Sequence, residues 1–255
     1  MKCLDSLLEL FFPRECPVCG RALQLREFPV CIYCQADLPL TRFWLQPRNP
    51  MADKFNALLE GALPEGAAWV PYVYAMALFF YNGRAGYRLL PQRLKYHADF
   101  PLGRYFGAML GKDILDSPYL PAVSAVVPVP LHWTRRYRRG YNQAAVLARA
   151  IASELGCPVV ESLVRRSRRT RTQTRLSVSE KARNVAGAFR VSARVLRRLV
   201  ASGDDLHLLL VDDVFTTGAT LLGCYSALRD ALDALGLPPQ SVRISLSTMA
   251  FVGNS

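Results

Sequence analysis

Two adjacent carboxylates, Asp212 and Asp213, follow a run of four apolar residues, Leu208 to Val211, and after Val214 and Phe215 comes a hydroxyl-rich turn, Thr216-Thr217-Gly218-Ala219-Thr220. Such an apolar run fits a parallel strand buried on both faces by helices. Ligands of open α/β sheets bind beyond the carboxyl ends of the strands, where the two acids would stand as candidate catalytic groups. Carboxylates in that position can hold sugar hydroxyls or a divalent cation such as Mg²⁺. In the turn, Gly218 frees the backbone so that several N–H groups can point at one phosphate. The threonine hydroxyls add donors, and the next helix adds its N-terminal dipole. An apolar strand ending in Asp-Asp also accompanies G-x-x-x-x-G-K-[ST] loops, and that alternative fails here. The only Gly-Lys pair, Gly111-Lys112, is followed by Asp113 and has Phe106 where the first glycine should be.

A second constellation lies near the amino terminus. Cys16-Pro-Val-Cys19-Gly20 is followed, after eleven intervening residues, by Cys31-Ile-Tyr-Cys34. Two C-x-x-C pairs make two knuckles whose four thiolates can surround zinc tetrahedrally. A redox dithiol needs one such pair at a βα junction, whereas these pairs sit in a short loop-rich segment. A closed structural zinc site is therefore expected, with the metal supplying most of the folding energy of so small a module. Cys3, Cys157 and Cys224 fall outside this scheme and read as core or surface thiols.

The third feature is charge. Residues 131–200 carry seventeen Arg and Lys against three Glu, a surplus of +14 that exceeds the net +12 of the whole chain. A block this concentrated fits an anionic partner, either a phosphorylated small molecule or a nucleic-acid backbone. Within it, Arg135, Arg136, Arg138 and Arg139 read either as a solvated loop or as a cradle for pyrophosphate oxygens, since guanidinium groups fork onto phosphates. Residues 165–185, with seven arginines and no apolar periodicity, read as a mobile loop. Arg168, Arg171, Gln173 and Arg183 there could close over an anionic ligand as a lid. The same loop could touch a nucleic-acid strand, with Tyr137 and Tyr141 as stacking partners.

These groups need a frame. Strands are expected at 72–81, 123–127, 187–191, 208–211 and 242–249, and helices at 3–12, 102–115, 142–155, 192–199 and 219–235. Residues 84–96 have helical spacing, with Pro91 expected to kink or interrupt them; Lys95 lies near their end. Pro128-Val-Pro130 ends a strand abruptly, so 131–140 is expected as a basic loop at the ligand end of the sheet. The resulting division is a zinc-binding module over 1–45, a linker over 46–70 with one or two short helices, and an α/β domain over 71–255. At 255 residues, 51% hydrophobic and 20% charged, the chain can bury one full α/β core and carry a small appendage. Asp5 and Glu9 interrupt the first apolar stretch and no small-residue cleavage site follows, so no signal peptide is expected. The run from Val70 to Tyr81 is too short to span a bilayer. Reduced cysteines and the lack of a leader point to the cytoplasm.

Residues 208–220 resemble the phosphoribosyl-pyrophosphate (PRPP) signature of type I phosphoribosyltransferases. By that resemblance, Asp212 and Asp213 contact the ribose hydroxyls and residues 216–220 hold the 5-phosphate. Further motifs extend the likeness: V-P-V-P-L-H at a strand end, R-G-Y-N-Q at 139–143, and the loop pattern around Thr170, Gln173, Leu176, Ser177, Glu180, Arg183, Asn184 and Val185. With the four cysteines, this order resembles the ComF family of competence-associated proteins along nearly the whole chain. The resemblance implies a type I phosphoribosyltransferase fold with an N-terminal zinc knuckle and a role in natural transformation or DNA uptake. Single-stranded DNA, a DNA-uptake helicase and recombination proteins follow as expected partners. The alternative is an active Mg-dependent phosphoribosyltransferase that joins an unidentified base or amine to the sugar and releases pyrophosphate. The family pattern commonly has Phe at Tyr141 and a basic residue at Val178.

Overall fold

The computed structural model describes residues 14–24, 27, 29–62, 71–81, 86–167, 187–201, 205–238 and 240–253, with only the backbone of Arg135. The helix expected at 3–12 and most of the loop expected at 165–185 lie outside the described residues. In chain order the elements are α1 (Ile32–Ala36), a 3₁₀ turn (Phe43–Leu45), α2 (Pro50–Glu60), β1 (Ala75–Phe80), α3 (Leu89–Tyr96), α4 (Phe100–Leu115), β2 (Ala125–Pro128), α5 (Trp133–Arg139), α6 (Gln143–Leu155), β3 (Val164–Arg166), β4 (Phe189–Val191), α7 (Ala193–Val200), β5 (Leu206–Phe215), α8 (Ala219–Asp233) and β6 (Val242–Phe251).

Four strands form a parallel sheet in the order β1-β6-β5-β2, and β3 pairs with β4 in a separate antiparallel ribbon. β5 and β6 are the inner strands, which is why Leu208, Leu209, Leu210 and Val211 are all fully buried. Helices α4 and α6 pack on each other and on the sheet, while α2 packs on β1 and α8. The edge-to-face pair Phe55–Tyr225 joins α2 to α8, and Phe79 meets Phe106 between β1 and α4.

The α4–α6 contact depends on glycine. Gly103, Gly107 and Gly111 recur every four residues, so they line one face of α4. A Cβ on them would lie 2.8 Å from Val146 Cγ1, 2.7 Å from Ala150 Cβ and 2.8 Å from Glu154 Cβ respectively, all on α6. The backbones can approach this closely only because these side chains are missing. The tip of Leu94 from α3 also occupies the space above Gly103, where a Cβ would be 2.7 Å from its Cδ1. The same glycines thus seat the helix that carries Lys95.

Three expectations need amendment. Residues 131–140 are not a loop: His132 accepts the Thr134 N–H through its ring at 3.3 Å, α5 forms over the arginine run, and Gly140 stops it in the left-handed conformation at φ 79°. Arginine is a good helix former, so the prolines upstream end the strand without extending irregularity into this segment. Pro91 does not interrupt α3. It is the third residue of the helix, where a backbone N–H has no intrahelical acceptor to lose. β5 does not end before the acids but runs through them to Phe215, pairing Asp212 with Thr248 and Phe215 with Phe251 on β6. Within 46–70, where one or two short helices were expected in a linker, lies α2, whose Met51, Ala52 and Phe55 are fully buried against the core. Asn49 caps it and also donates to the Ala75 carbonyl at 2.9 Å, stitching the helix to the start of β1.

Replacing Gly107 by valine should therefore push α4 from α6 and lower stability by ~1–3 kcal/mol, as overpacked cores do. Urea denaturation followed by circular dichroism checks this, and an unchanged midpoint would contradict the close approach.

Candidate functional site

The turn after β5 is set by its glycine. Gly218 sits at φ 78°, where side chains are disfavoured, and a Cβ there would meet Phe215 Cζ at 2.7 Å and Leu58 Cδ1 at 2.8 Å. Glycine is required by both the backbone and its surroundings. Gly218 is also the N-cap of α8 and has no side chain to bond the first turn, so the leading N–H groups of α8 are left for a ligand. Thr216, Thr217, Gly218, Ala219 and Thr220 line a concavity of about 30 Å³. From α2, the Lys54 ammonium donates to the Thr216 carbonyl at 2.9 Å and thereby braces the turn.

The acid pair precedes this turn. Asp213 is buried and its Oδ2 receives the Lys95 ammonium at 2.9 Å. Asp212 Oδ1 accepts the Asp213 N–H at 2.9 Å, and Asp213 Oδ1 accepts the Val214 N–H at 3.0 Å. Burial first, and then the neighbouring Asp213 charge, push the Asp212 carboxyl up to about 8. Burial works against the Lys95 ammonium, but the two carboxylates outweigh it and raise its pKa. Lys95 is positioned from behind by Tyr141. That hydroxyl donates to the Leu94 carbonyl and accepts the Ala98 N–H at 3.1 Å, while its ring meets Phe100 edge to face at 4.9 Å.

Acids, turn and cations share one cavity of about 670 Å³. Of the residues singled out from the sequence, Lys95, Arg139, Asp212, Asp213, Thr216 and Thr220 line it, and Thr217, Gly218 and Ala219 line the adjoining concavity. Arg136 lines neither and is exposed. Arg168, Arg171, Gln173 and Arg183 lie outside the described residues, as does the Arg135 side chain. Tyr141 is half-buried and tied to α3, which removes it as a stacking partner.

The structure adds residues that local reading missed. Gln143, Arg166 and Tyr96 also face the cavity, and so does Arg138 from the arginine run already singled out. Arg139 donates to the Gln143 amide oxygen at 2.7 Å and lies 5.2 Å over the Tyr96 ring, which orients its guanidinium. Gln143 belongs to the R-G-Y-N-Q segment, so its position carried a signal. Nothing in the sequence ties Lys54 to a turn 162 residues away. Chemically, the cavity combines acids suited to hydroxyls or a cation, a turn suited to a phosphate, and four cationic side chains suited to further phosphoryl oxygens. Such an arrangement can stabilise an oxocarbenium-like centre and a departing pyrophosphate by positioning and charge alone.

The N-terminal cysteines converge as their spacing demands. The sulfurs of Cys16, Cys19, Cys31 and Cys34 all lie within 4.8 Å of one another, with Cys19 and Cys31 3.7 Å apart. A tetrahedral ion with metal–sulfur bonds of about 2.3 Å would hold its ligands roughly 3.8 Å apart, so the cage fits such an ion. The knuckle turn around Gly20, at φ 73°, is closed by Gly20 N–H to Cys16 O at 2.9 Å and Cys16 N–H to Arg21 O at 2.7 Å. Burial disfavours the Cys16 thiolate, yet the N–H groups of Cys31, Cys19 and Val18 bring its pKa down to about 7. Burial, then the neighbouring thiols, raise Cys34, and burial raises Cys31. Four thiolates this close can coexist only around a cation. The Tyr87 hydroxyl donates to the Cys34 carbonyl at 2.9 Å, which fastens the cage to the segment entering α3.

With this geometry in hand, the chain can be compared with known proteins. Competence protein F of Haemophilus influenzae is 34% identical over 232 residues, which span 86% of this chain and 87% of that one. The chain belongs to the competence protein F family. A DNA utilization protein YhgH of Salmonella typhi is 35% identical over 136 residues, 52% of this chain and 56% of the relative. The Phosphoribosyl transferase domain family matches residues 142–231, from the cap of α6 through the acid pair and turn into α8. The fold is of the type I phosphoribosyltransferase class. Among solved structures, glutamine PRPP amidotransferase from B. subtilis aligns with a TM-score of 0.37 at 15% identity, over 62% of this chain and 30% of that one. Among the described residues no helix is long and apolar enough to cross a membrane.

The raised Asp212 pKa has a stability consequence. The folded chain keeps a proton that the unfolded chain releases near pH 4, so this stabilisation is full in acid and is lost as pH rises from about 4 toward 8. Asp212→Asn should remove that loss and make the ligand-free protein more stable than the parent at pH 8, with the gap closing toward pH 4. Urea midpoints across this range check the sign; a less stable variant at pH 8 would contradict it.

Proposed function

We propose that this chain is a cytoplasmic ComF-type protein of DNA uptake that recognises PRPP, with Mg²⁺, in the cavity at the end of β5 and handles single-stranded DNA. The single observation that carries the ligand is the convergence of Asp212, Asp213, Lys95, Arg139 and the 216–220 turn on one cavity. In this reading the acid pair holds the ribose hydroxyls and, through them, the cation. The turn takes the 5-phosphate, and Lys95, Arg138, Arg139 and Arg166 face the pyrophosphate. Arg168, Arg171, Gln173 and Arg183 would close over it. The DNA role rests on family membership, since the Haemophilus relative is named for competence and the Salmonella relative for DNA utilization. The +14 block supports it electrostatically. Residues 1–45 form the zinc-binding module of this reading and 71–255 the phosphate-recognising domain. A DNA-uptake helicase or recombination proteins are the protein partners it calls for.

Calorimetry with PRPP and Mg²⁺ tests the cavity. Saturable heat is expected, and Asp213→Asn should remove it while leaving the circular dichroism spectrum intact. No heat at millimolar PRPP would overturn the ligand assignment. For the cage, mass spectrometry should find one zinc per chain, and Cys16→Ser should lose it while keeping the α/β signal; a zinc-free native protein would refute the site.

A further inference from the structure

The outward side of α5 is left unused by the cavity. At about 100° per residue, Trp133 and Tyr137 stand only ~40° apart on this helix, with Arg136 beside them. Arg138 and Arg139, which line the cavity, lie on the other side. Trp133 is 68% exposed and Tyr137 88% exposed, the latter the most exposed large hydrophobic side chain among the described residues. Two neighbouring aromatic rings kept in water on a seven-residue helix contribute little to the core. The chain on either side of them carries one sign of charge only: the sequence has no Asp or Glu between Asp116 and Glu154. His132 fixes the first turn beneath them, its ring 5.7 Å from that of Trp133, and Gly140 fixes the last.

We propose that the Trp133–Tyr137 face of α5 is a stacking platform for unpaired bases of single-stranded DNA, distinct from the phosphoribosyl cavity, with Arg136 holding the adjacent phosphate. This deepens the strand-handling part of the function above and rests on it. Rings offered at one helical turn's spacing can take successive bases without reading their sequence, and a flanking guanidinium neutralises the backbone. A duplex, whose bases are already stacked inward, gains nothing from them. Because the cavity and the platform use opposite sides of one helix, PRPP and a strand can be held together.

The test is fluorescence anisotropy with a labelled oligothymidylate, alongside PRPP calorimetry on the same proteins. Trp133→Ala and Tyr137→Ala should each weaken strand binding about tenfold, with the slope of affinity against salt unchanged and PRPP binding unaffected. Arg136→Ala should instead lower that slope by about one ion. Strand binding should also quench tryptophan emission in the parent and not in Trp133→Phe. If the parent bound no oligonucleotide, both the strand-handling reading and the platform would fall, with PRPP recognition judged separately by calorimetry. Should the parent bind while both aromatic variants bind as tightly, or should a duplex bind equally well, the platform alone is overturned.

Discussion

Two consecutive carboxylates at the end of a buried strand impose the constraint on which the rest of this structure depends. Two like charges ~4 Å apart at an effective dielectric of about 20 repel by roughly 4 kcal/mol, far more than any single apolar contact near them returns. The fold meets this in two ways: Asp212 holds its proton up to about pH 8, and Asp213 is matched by Lys95 at 2.9 Å. Everything that positions Lys95 therefore also decides whether the acid pair is tolerable. Leu94, one residue earlier, is seated over Gly103, and Tyr141 holds the carbonyl of Leu94 and the N–H of Ala98. The glycine face of α4 matters for the same reason, since without it neither α6 nor the end of α3 could come close enough.

The turn at 216–220 is constrained by shape more than charge. Its backbone is bent by Gly218 against Phe215 and Leu58, and its Thr216 carbonyl is engaged by Lys54. With that carbonyl bonded, the leading N–H groups of α8 are left for a ligand. α2 is therefore part of the site although it touches no ligand position. Lys54 also lies 5.8 Å from the rings of Phe215 and Phe251, so its ammonium is fixed by the aromatic residues that end β5 and β6.

What could be read from the sequence was what is local along the chain. The acid pair, the Thr-Thr-Gly-Ala-Thr turn and the four cysteines each lie within a short segment whose chemistry is carried by spacing, and the structure brings each set together. The buried β5 was legible because a strand covered on both faces is apolar at every position. Lys54, the glycine face of α4 and the Tyr141 latch were not legible. Their meaning lies in partners far away in sequence, and glycines spaced by four residues look the same in any helix. α5 was misread for a different reason. Its prolines are upstream, and the features that turn basic residues into a helix are a histidine cap and a left-handed glycine, His132 and Gly140, whose effect depends on backbone angles. Tyr141 and Tyr137, both read as stacking partners, part by the same logic: the fold, not the residue type, ties the first ring down and offers the second to solvent.

The charge pattern then acquires a physical sense that net charge alone lacks. Around the cavity, Lys95, Arg138, Arg139 and Arg166 outnumber Asp212 and Asp213, one of which holds its proton near neutrality. The cavity is thus electropositive. Outside the cavity, the span from Ser117 to Ser153 contributes no acid to offset the arginines of α5. One short helix therefore presents guanidinium groups inward and aromatic rings outward. A small phosphorylated ligand would change the field on one side of that helix without occupying the other, so any coupling between cavity and outer face must pass through α5 itself, whose two ends are fixed by His132 and Gly140.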